Sequence, residues 1–203
     1  MRVARGSGLL QAALRALRDG LDETGAPWMI IGGVAVVARG VRRMTADLDA
    51  VVRGDAVPID ALVRMLARHR IVPRIPGATE FARANLVLLL RHEPTGVDLD
   101  ISFGWSAFEH EALAARETIT YGRIKAPMAR AEDLVILKAV AARPRDREDA
   151  ATLLALHPKI DLGRVRRRVK ELAELADAPE ILETLEQAVA LARAAGRRPA
   201  RRR

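Results

Sequence analysis

The chain contains no cysteine, so disulfides and thiolate metal sites are excluded, a usage expected of a cytoplasmic protein. Aromatic residues make up only 3% of its 203 positions, so any core is built from Leu, Val, Ile and Ala. No apolar run approaches the roughly eighteen residues a membrane helix needs. Met1 to Arg18 carries charges throughout and no apolar leader core, so neither secretion nor a membrane partner is expected. Several nucleotide and nucleophile motifs are also missing. No glycine precedes a Lys-Ser/Thr pair, so there is no Walker A loop. No Gly-x-Gly-x-x-Gly supports a dinucleotide fold, and no Gly-x-Ser-x-Gly elbow marks a serine hydrolase. His69, His92, His110 and His157 show no metal-ligand spacing and read as structural or surface residues.

What is present is hydrophobic mass and positive charge. Half the residues are hydrophobic, and the formal net charge is +8. From Arg164 to Arg203, eleven Arg and Lys stand against six Asp and Glu. A basic surface suits a polyanion such as nucleic acid. The competing reading is an Arg- and Ala-rich composition set by genomic base bias, with the charges merely solvated.

Periodicity divides the chain in two. Leu9, Leu10, Ala13, Leu14, Leu17 and Leu21 predict a helix over Gly8 to Leu21, stopped at Thr24 to Pro27. Trp28 to Ile31 reads as a buried strand, followed by Gly32-Gly33 and a helical start over Val34 to Ala38. Further strands are expected at Asp47 to Val52, Leu86 to Arg91 and Gly96 to Ser102, with helices at Pro58 to Arg70 and Ala107 to Ala115. A hairpin turns at Gly122 between Glu117 to Tyr121 and Arg123 to Ala126. From Ala131 onward the pattern is helical: Ala131 to Ala142, Arg145 to Leu156, one helix beginning at Asp161 and another at Asp177 to Pro179. The expected division is an α/β domain over 1–128, a helical domain over 129–195 and a basic, disordered tail over 196–203.

The chemistry concentrates between Ile31 and Asp49. Glycines where a strand meets a helix let a phosphate approach backbone N–H groups, although a ligand-free tight turn uses the same residues. Asp47 and Asp49 lie two apart on a predicted strand, so both carboxylates share one face. Two adjacent carboxylates repel, and a divalent cation relieves that cost. Without one they are simply solvated at a sheet edge. Asp98 and Asp100 repeat the spacing among Val97, Leu99 and Ile101. A second such strand beside the first supplies a third ligand, and three carboxylates can hold two metal ions. Arg39, Arg42, Arg43 and Thr45 sit between the glycines and the aspartates, where cations and a hydroxyl suit β- and γ-phosphates. Among so many arginines, surface charge is the rival explanation for each. Lys138 stands inside the apolar run Leu134 to Val140. Lysine on a wholly apolar helix is paired or functional. Asp146 and Asp149, which share a helix face, offer the pairing that would tie the helical half to the sheet. A reach to nucleotide phosphates is the alternative.

Taken together, Ile31-Gly32-Gly33, Asp47-Leu48-Asp49 and the later apolar-flanked Asp98 resemble the signature of the nucleotidyltransferase fold shared with DNA polymerase beta. The pattern is closest to minimal nucleotidyltransferases of the AbiEii type, the toxins of type IV toxin–antitoxin systems. Arg42 or Arg43 with Thr45, then Lys138, and then Arg143 to Asp146 with Asp149 occupy the further blocks of that pattern in order. The resemblance runs from about Trp28 to Leu156. It implies an α+β fold, a mixed sheet with packed helices and a helical C-terminal part. It implies Mg²⁺ (or Mn²⁺) at Asp47, Asp49 and Asp98, with Asp98 as the base for the acceptor and Asp100 its rival for that place. It implies NTP phosphates against Gly32, Gly33, Thr45, Arg42 or Arg43, and Lys138. The expected reaction moves NMP from an NTP to an acceptor hydroxyl, with tRNA or another RNA as acceptor and a cognate antitoxin as partner. A catalytically inactive nucleotide- or RNA-binding module of the same fold is the other expectation.

Overall fold

The computed structural model describes residues 2–196. The Arg-rich tail, with the expectation of disorder there, lies outside the described residues. Helix α1 (Arg2–Asp22) buries Leu10, Ala13, Leu14, Leu17 and Leu21, the stripe that three- and four-residue spacing places on one face. It ends where the Thr24 hydroxyl donates to the Leu21 carbonyl at 2.6 Å and Gly25 turns left-handed at φ +68°. There follow β1 (Trp28–Ile31), α2 (Gly32–Ala38), β2 (Leu48–Arg53), α3 (Ile59–Arg68), β3 (Ile71–Pro73), α4 (Ala78–Asn85), β4 (Val87–His92), β5 (Val97–Gly104), α5 (Ala107–Ala114), β6 (Glu117–Tyr121) and β7 (Ile124–Met128).

The seven strands form one mixed sheet in the order β3-β4-β5-β2-β1-β7-β6. The pairs β2–β5 and β1–β7 are parallel, and the other pairs are antiparallel. Alternation sorts the two faces of the central strands. Leu48, Ala50, Val52, Leu88, Leu90, Leu99, Ile101 and Phe103 are buried, while Asp49, Asp98 and Asp100 fall at the alternate positions. Helix α5 starts with a complete capping box. The Ser106 hydroxyl accepts from Glu109 N, and the Glu109 carboxylate accepts from Ser106 N.

Two elements arise where the sequence pattern predicts nothing, β3 and α4. A three-residue edge strand ending in Pro73 is too short to show alternation. Helix α4 is bounded by left-handed residues, Gly77 and Leu86, and buries only Ala78 and Ala82, so its apolar stripe is faint.

The chain divides into two compact units, Met1–Ala38 with Arg43–Ala129, and Arg39–Arg42 with Arg130–Arg203. The second unit holds α6 (Ala131–Ala141), α7 (Pro144–Leu156), α8 (Leu162–Leu175) and α9 (Glu180–Gly196), with α6 packing on the other three. Its interior contains a fully buried carboxylate, Asp133, which accepts from Arg130 Nε at 2.8 Å and Arg164 Nη1 at 2.9 Å. A buried charge is tolerated only when paired in this way. No helix among the described residues is long and apolar enough to cross a membrane.

Candidate active site

Strand β1 ends at Ile31 opposite Asp49 of its antiparallel neighbour β2. The chain then turns through Gly32 in the left-handed region, φ +60°, and α2 begins. A methyl group at Gly32 would lie 1.8 Å from Asp49 Oδ2, and one at Gly33 would lie 2.2 Å from Thr45 Oγ1. Both glycines are therefore required sterically: the first lets the backbone press against Asp49, the second against Thr45 and the Arg43 guanidinium. The Thr45 hydroxyl donates to Asp47 Oδ1 at 3.0 Å. Arg43 donates from Nη1 to the Met44 carbonyl at 3.0 Å and lies beside Gly33 in the same unit. Arg42 is exposed and falls in the other unit.

The parallel pair β2–β5 brings the second set of carboxylates alongside. Asp49 is the register partner of Asp100. The ladder starts with Leu48 and Leu99, so Asp47, which precedes β2 rather than opening it as the sequence suggested, and Asp98, the second residue of β5, lie just before it. Neighbouring strands run about 4.8 Å apart. The two Asp-x-Asp segments thus form one array of carboxylates, with Asp49 beside Asp100 and with Asp47 and Asp98 just before the ladder.

Each β5 carboxylate has an arginine. Arg91, the cross-strand partner of Asp98 on β4, donates from Nε to Asp98 Oδ1 at 2.7 Å. That hydrogen bond holds the Asp98 carboxyl below the usual carboxylate range. Both partners are about half exposed, so the pair itself stabilises little. Arg74 reaches Asp100 Oδ1 and also donates to the main-chain carbonyls of Leu90 and Leu99, each at 3.2 Å. The sequence pattern missed Arg74 because it follows the unrecognised β3. It missed Arg91 because a cross-strand partner depends on register, which spacing along one segment does not reveal.

An all-oxygen set of closely spaced carboxylates has the donor chemistry Mg²⁺ and Mn²⁺ take. The side chains as placed are drawn toward Thr45, Arg91 and Arg74, and among the described residues no three acidic or imidazole groups are gathered at ligating separation. The donor chemistry suits a divalent ion, and the carboxylates would have to rotate to converge on one.

Lys138 belongs to the helical unit. Its Nζ donates to Asp146 Oδ1 at 2.5 Å and lies 3.3 Å from Asp149 Oδ2. All three side chains are nearly buried, and the cluster joins α6 to α7.

The fold and the glycine–carboxylate geometry define a nucleotidyltransferase class, and comparison with known proteins agrees. Residues 10–187 match the family described as "nucleotidyl transferase of unknown function (DUF2204)", and the chain belongs to that family. Among solved structures, ANT(2")-Ia in complex with adenylyl-2"-tobramycin superposes with a TM-score of 0.54 and 17% identity, over 78% of this chain and 94% of the other. A solution structure of the antibiotic-resistance factor ANT(2'')-Ia gives 0.51 and 19%, over 94% and 93%. An antigenic nucleotidyltransferase-like protein from Paracoccidioides brasiliensis gives 0.47 and 17%, over 87% and 92%. At these identities the similarity to the two ANT(2")-Ia structures shows the fold alone. No curated protein matches the chain.

Proposed function

We propose that this nucleotidyltransferase moves NMP from an NTP to an acceptor hydroxyl at a divalent-cation site built from Asp47, Asp49 and Asp100. The observation that carries this reading is the register of β2 on β5, which sets Asp49 beside Asp100 directly under the Gly32 turn. Asp100 takes the third place in preference to Asp98 because it is the register partner of Asp49, whereas Asp98 precedes that ladder. Gly33 leaves room for a phosphate at the start of α2, with Thr45 and Arg43 beside it as donors. Mg²⁺ or Mn²⁺, when bound, neutralises the triphosphate and the developing charge on the leaving pyrophosphate. The chain itself contributes positioning. Asp49 is held against the turn, Thr45 orients Asp47, and a carboxylate of the array accepts the acceptor's proton. Lys138 and Arg42, the other phosphate ligands that the sequence pattern suggests, both belong to the helical unit, where Lys138 is held by Asp146 and Asp149.

For the acceptor we favour RNA, tRNA in particular, on the net charge of +8. The charge of α8 contributes little to this, since Arg164, Arg166, Arg168 and Lys170 are each ion-paired to Glu or Asp. Tobramycin is polycationic, and a strongly basic chain is poorly matched to such an acceptor. A toxin of the AbiEii type with a cognate antitoxin is the biological setting this reading favours, on the motif order alone. The test is incubation with each α-³²P-labelled NTP, Mg²⁺ and total tRNA, beside Asp47→Ala and Asp49→Asn. Label on tRNA from the wild type alone supports the proposal. Label on protein moves the acceptor class. Metal-dependent nucleotide binding with no transfer to anything favours the inactive-module reading.

A further inference from the structure

Arg74 differs from the other arginines near the carboxylates in how it is fixed. Its own N–H donates to the Leu89 carbonyl at 3.1 Å, extending the edge strand one residue beyond Pro73. From there the side chain crosses β4. One guanidinium nitrogen, Nη1, is shared between the carbonyls of Leu90 and Leu99, which are register partners, and Asp100 Oδ1. The side chain is only 20% exposed. A surface counter-ion needs no such anchoring, and the neighbouring Arg91–Asp98 pair, exposed on both sides, has none. Arg74 takes Oδ1 of Asp100 and leaves Oδ2 for another partner. Its charge thus sits on Asp100, the residue that backbone pairing sets level with Asp49.

We infer that Arg74 is a positioning residue: anchored on the sheet backbone, it holds the Asp100 carboxylate level with Asp49 so that a divalent cation can bind. Carboxylates that ligate metals are themselves held by hydrogen bonds from behind, and losing such a partner typically weakens metal binding 10- to 100-fold. The inference rests on the metal-dependent reading above and on the choice of Asp100 within it. It adds a residue that touches neither metal nor nucleotide.

The experiment is Mn²⁺ titration of the nucleotide-free full chain, with free ion followed by electron paramagnetic resonance. Arg74→Gln is expected to weaken Mn²⁺ binding by about 10- to 100-fold. Arg91→Gln, which removes the exposed pair, is expected to leave the affinity within about twofold of wild type. In an Asp100→Asn background, Arg74→Gln should cause no further loss, because the two residues act through one carboxylate. Far-UV circular dichroism and thermal midpoints accompany each variant. If Arg74→Gln does not fold, Arg74→Lys carries the test. It keeps the charge and three N–H donors but ends one bond short of the position Nη1 occupies, so it cannot meet both carbonyls and the carboxylate together and should bind at least about threefold more weakly than wild type. Affinity equal to wild type or tighter in the folded Arg74 variant overturns the inference, as does an equal loss in the Asp100→Asn background. A wild type that transfers nucleotide and binds Mn²⁺ while Arg74 proves inert sinks this inference alone. A wild type that binds no Mn²⁺ sinks the metal-dependent reading and this inference with it.

Discussion

Gly32→Ala is the sharpest perturbation of the site, because one methyl group meets two separate costs. The first is conformational. Gly32 sits at φ +60°, and an L-residue there loses about 1–2 kcal/mol. The second is steric. The new Cβ would lie 1.8 Å from Asp49 Oδ2, 2.5 Å from Cγ and 2.7 Å from Cβ. Rotating the carboxylate away relieves the first two contacts, but the third is to the root of the side chain, so the backbone has to move as well. Overpacking of this kind costs about 1–3 kcal/mol. Gly25→Ala separates the two contributions. Gly25 has nearly the same backbone, φ +68°, with no atom within 4 Å of the added methyl. For a chain of this size about 1 kcal/mol moves the thermal midpoint about 2–4 °C, so Gly25→Ala should lower it by about 2–8 °C. Gly32→Ala should lose about 2–5 kcal/mol in all, which is about 4–20 °C. Gly25→Ala should keep nucleotidyl transfer. Gly32→Ala should lose about 100-fold or more, since a 1 Å misplacement of a reacting group has that effect. Calorimetry and the labelled-NTP assay read both. Equal destabilisation in the two variants, with transfer retained in Gly32→Ala, would refute the close approach of the turn to Asp49.

Thr45→Val removes the hydroxyl that donates to Asp47 and should raise the nucleotide KM about tenfold while leaving the thermal midpoint nearly unchanged. Lys138→Met leaves Asp146 and Asp149 buried without their cation, and should destabilise the chain by about 3–5 kcal/mol in denaturant titration. Ser106→Ala removes one half of the α5 capping box and should cost about 1 kcal/mol by the same measurement, with transfer intact. Burial pushes the His92 pKa down, with Arg70 adding to the effect. The unfolded chain therefore takes up this proton first, so stability falls as pH drops below the ordinary value of about 6.5 and goes on falling until the folded histidine also protonates. His92→Gln should flatten that slope in unfolding curves recorded between about pH 7.5 and 5.

Much of the fold was legible along the chain. The α1 stripe, strands β1, β2, β4 and β5, the Gly122 hairpin and the helical second half all follow from local periodicity, turn residues and glycines, which act over a few neighbouring positions. The motifs of the candidate site are visible for the same reason. Gly-Gly after a strand and Asp-x-Asp at the start of the next are each local patterns, and their order along the chain resembles that of nucleotidyltransferases. Register and long-range approach are different quantities. Asp98 and Asp100 are each flanked by aliphatic residues and share one face, so alternation along the strand does not separate them. Only the alignment of β5 against β2, set by the burial of Leu48, Ala50, Leu99 and Ile101 on the opposite face, puts Asp100 level with Asp49. The same holds for Arg74. Its role depends on an edge strand of three residues whose pairing with β4 delivers a guanidinium to an aspartate 26 positions away. Local pattern determines which residues face the same side. Which of them meet is decided by strand pairing, because that is where backbone hydrogen bonding and the burial of the whole sheet face are satisfied together.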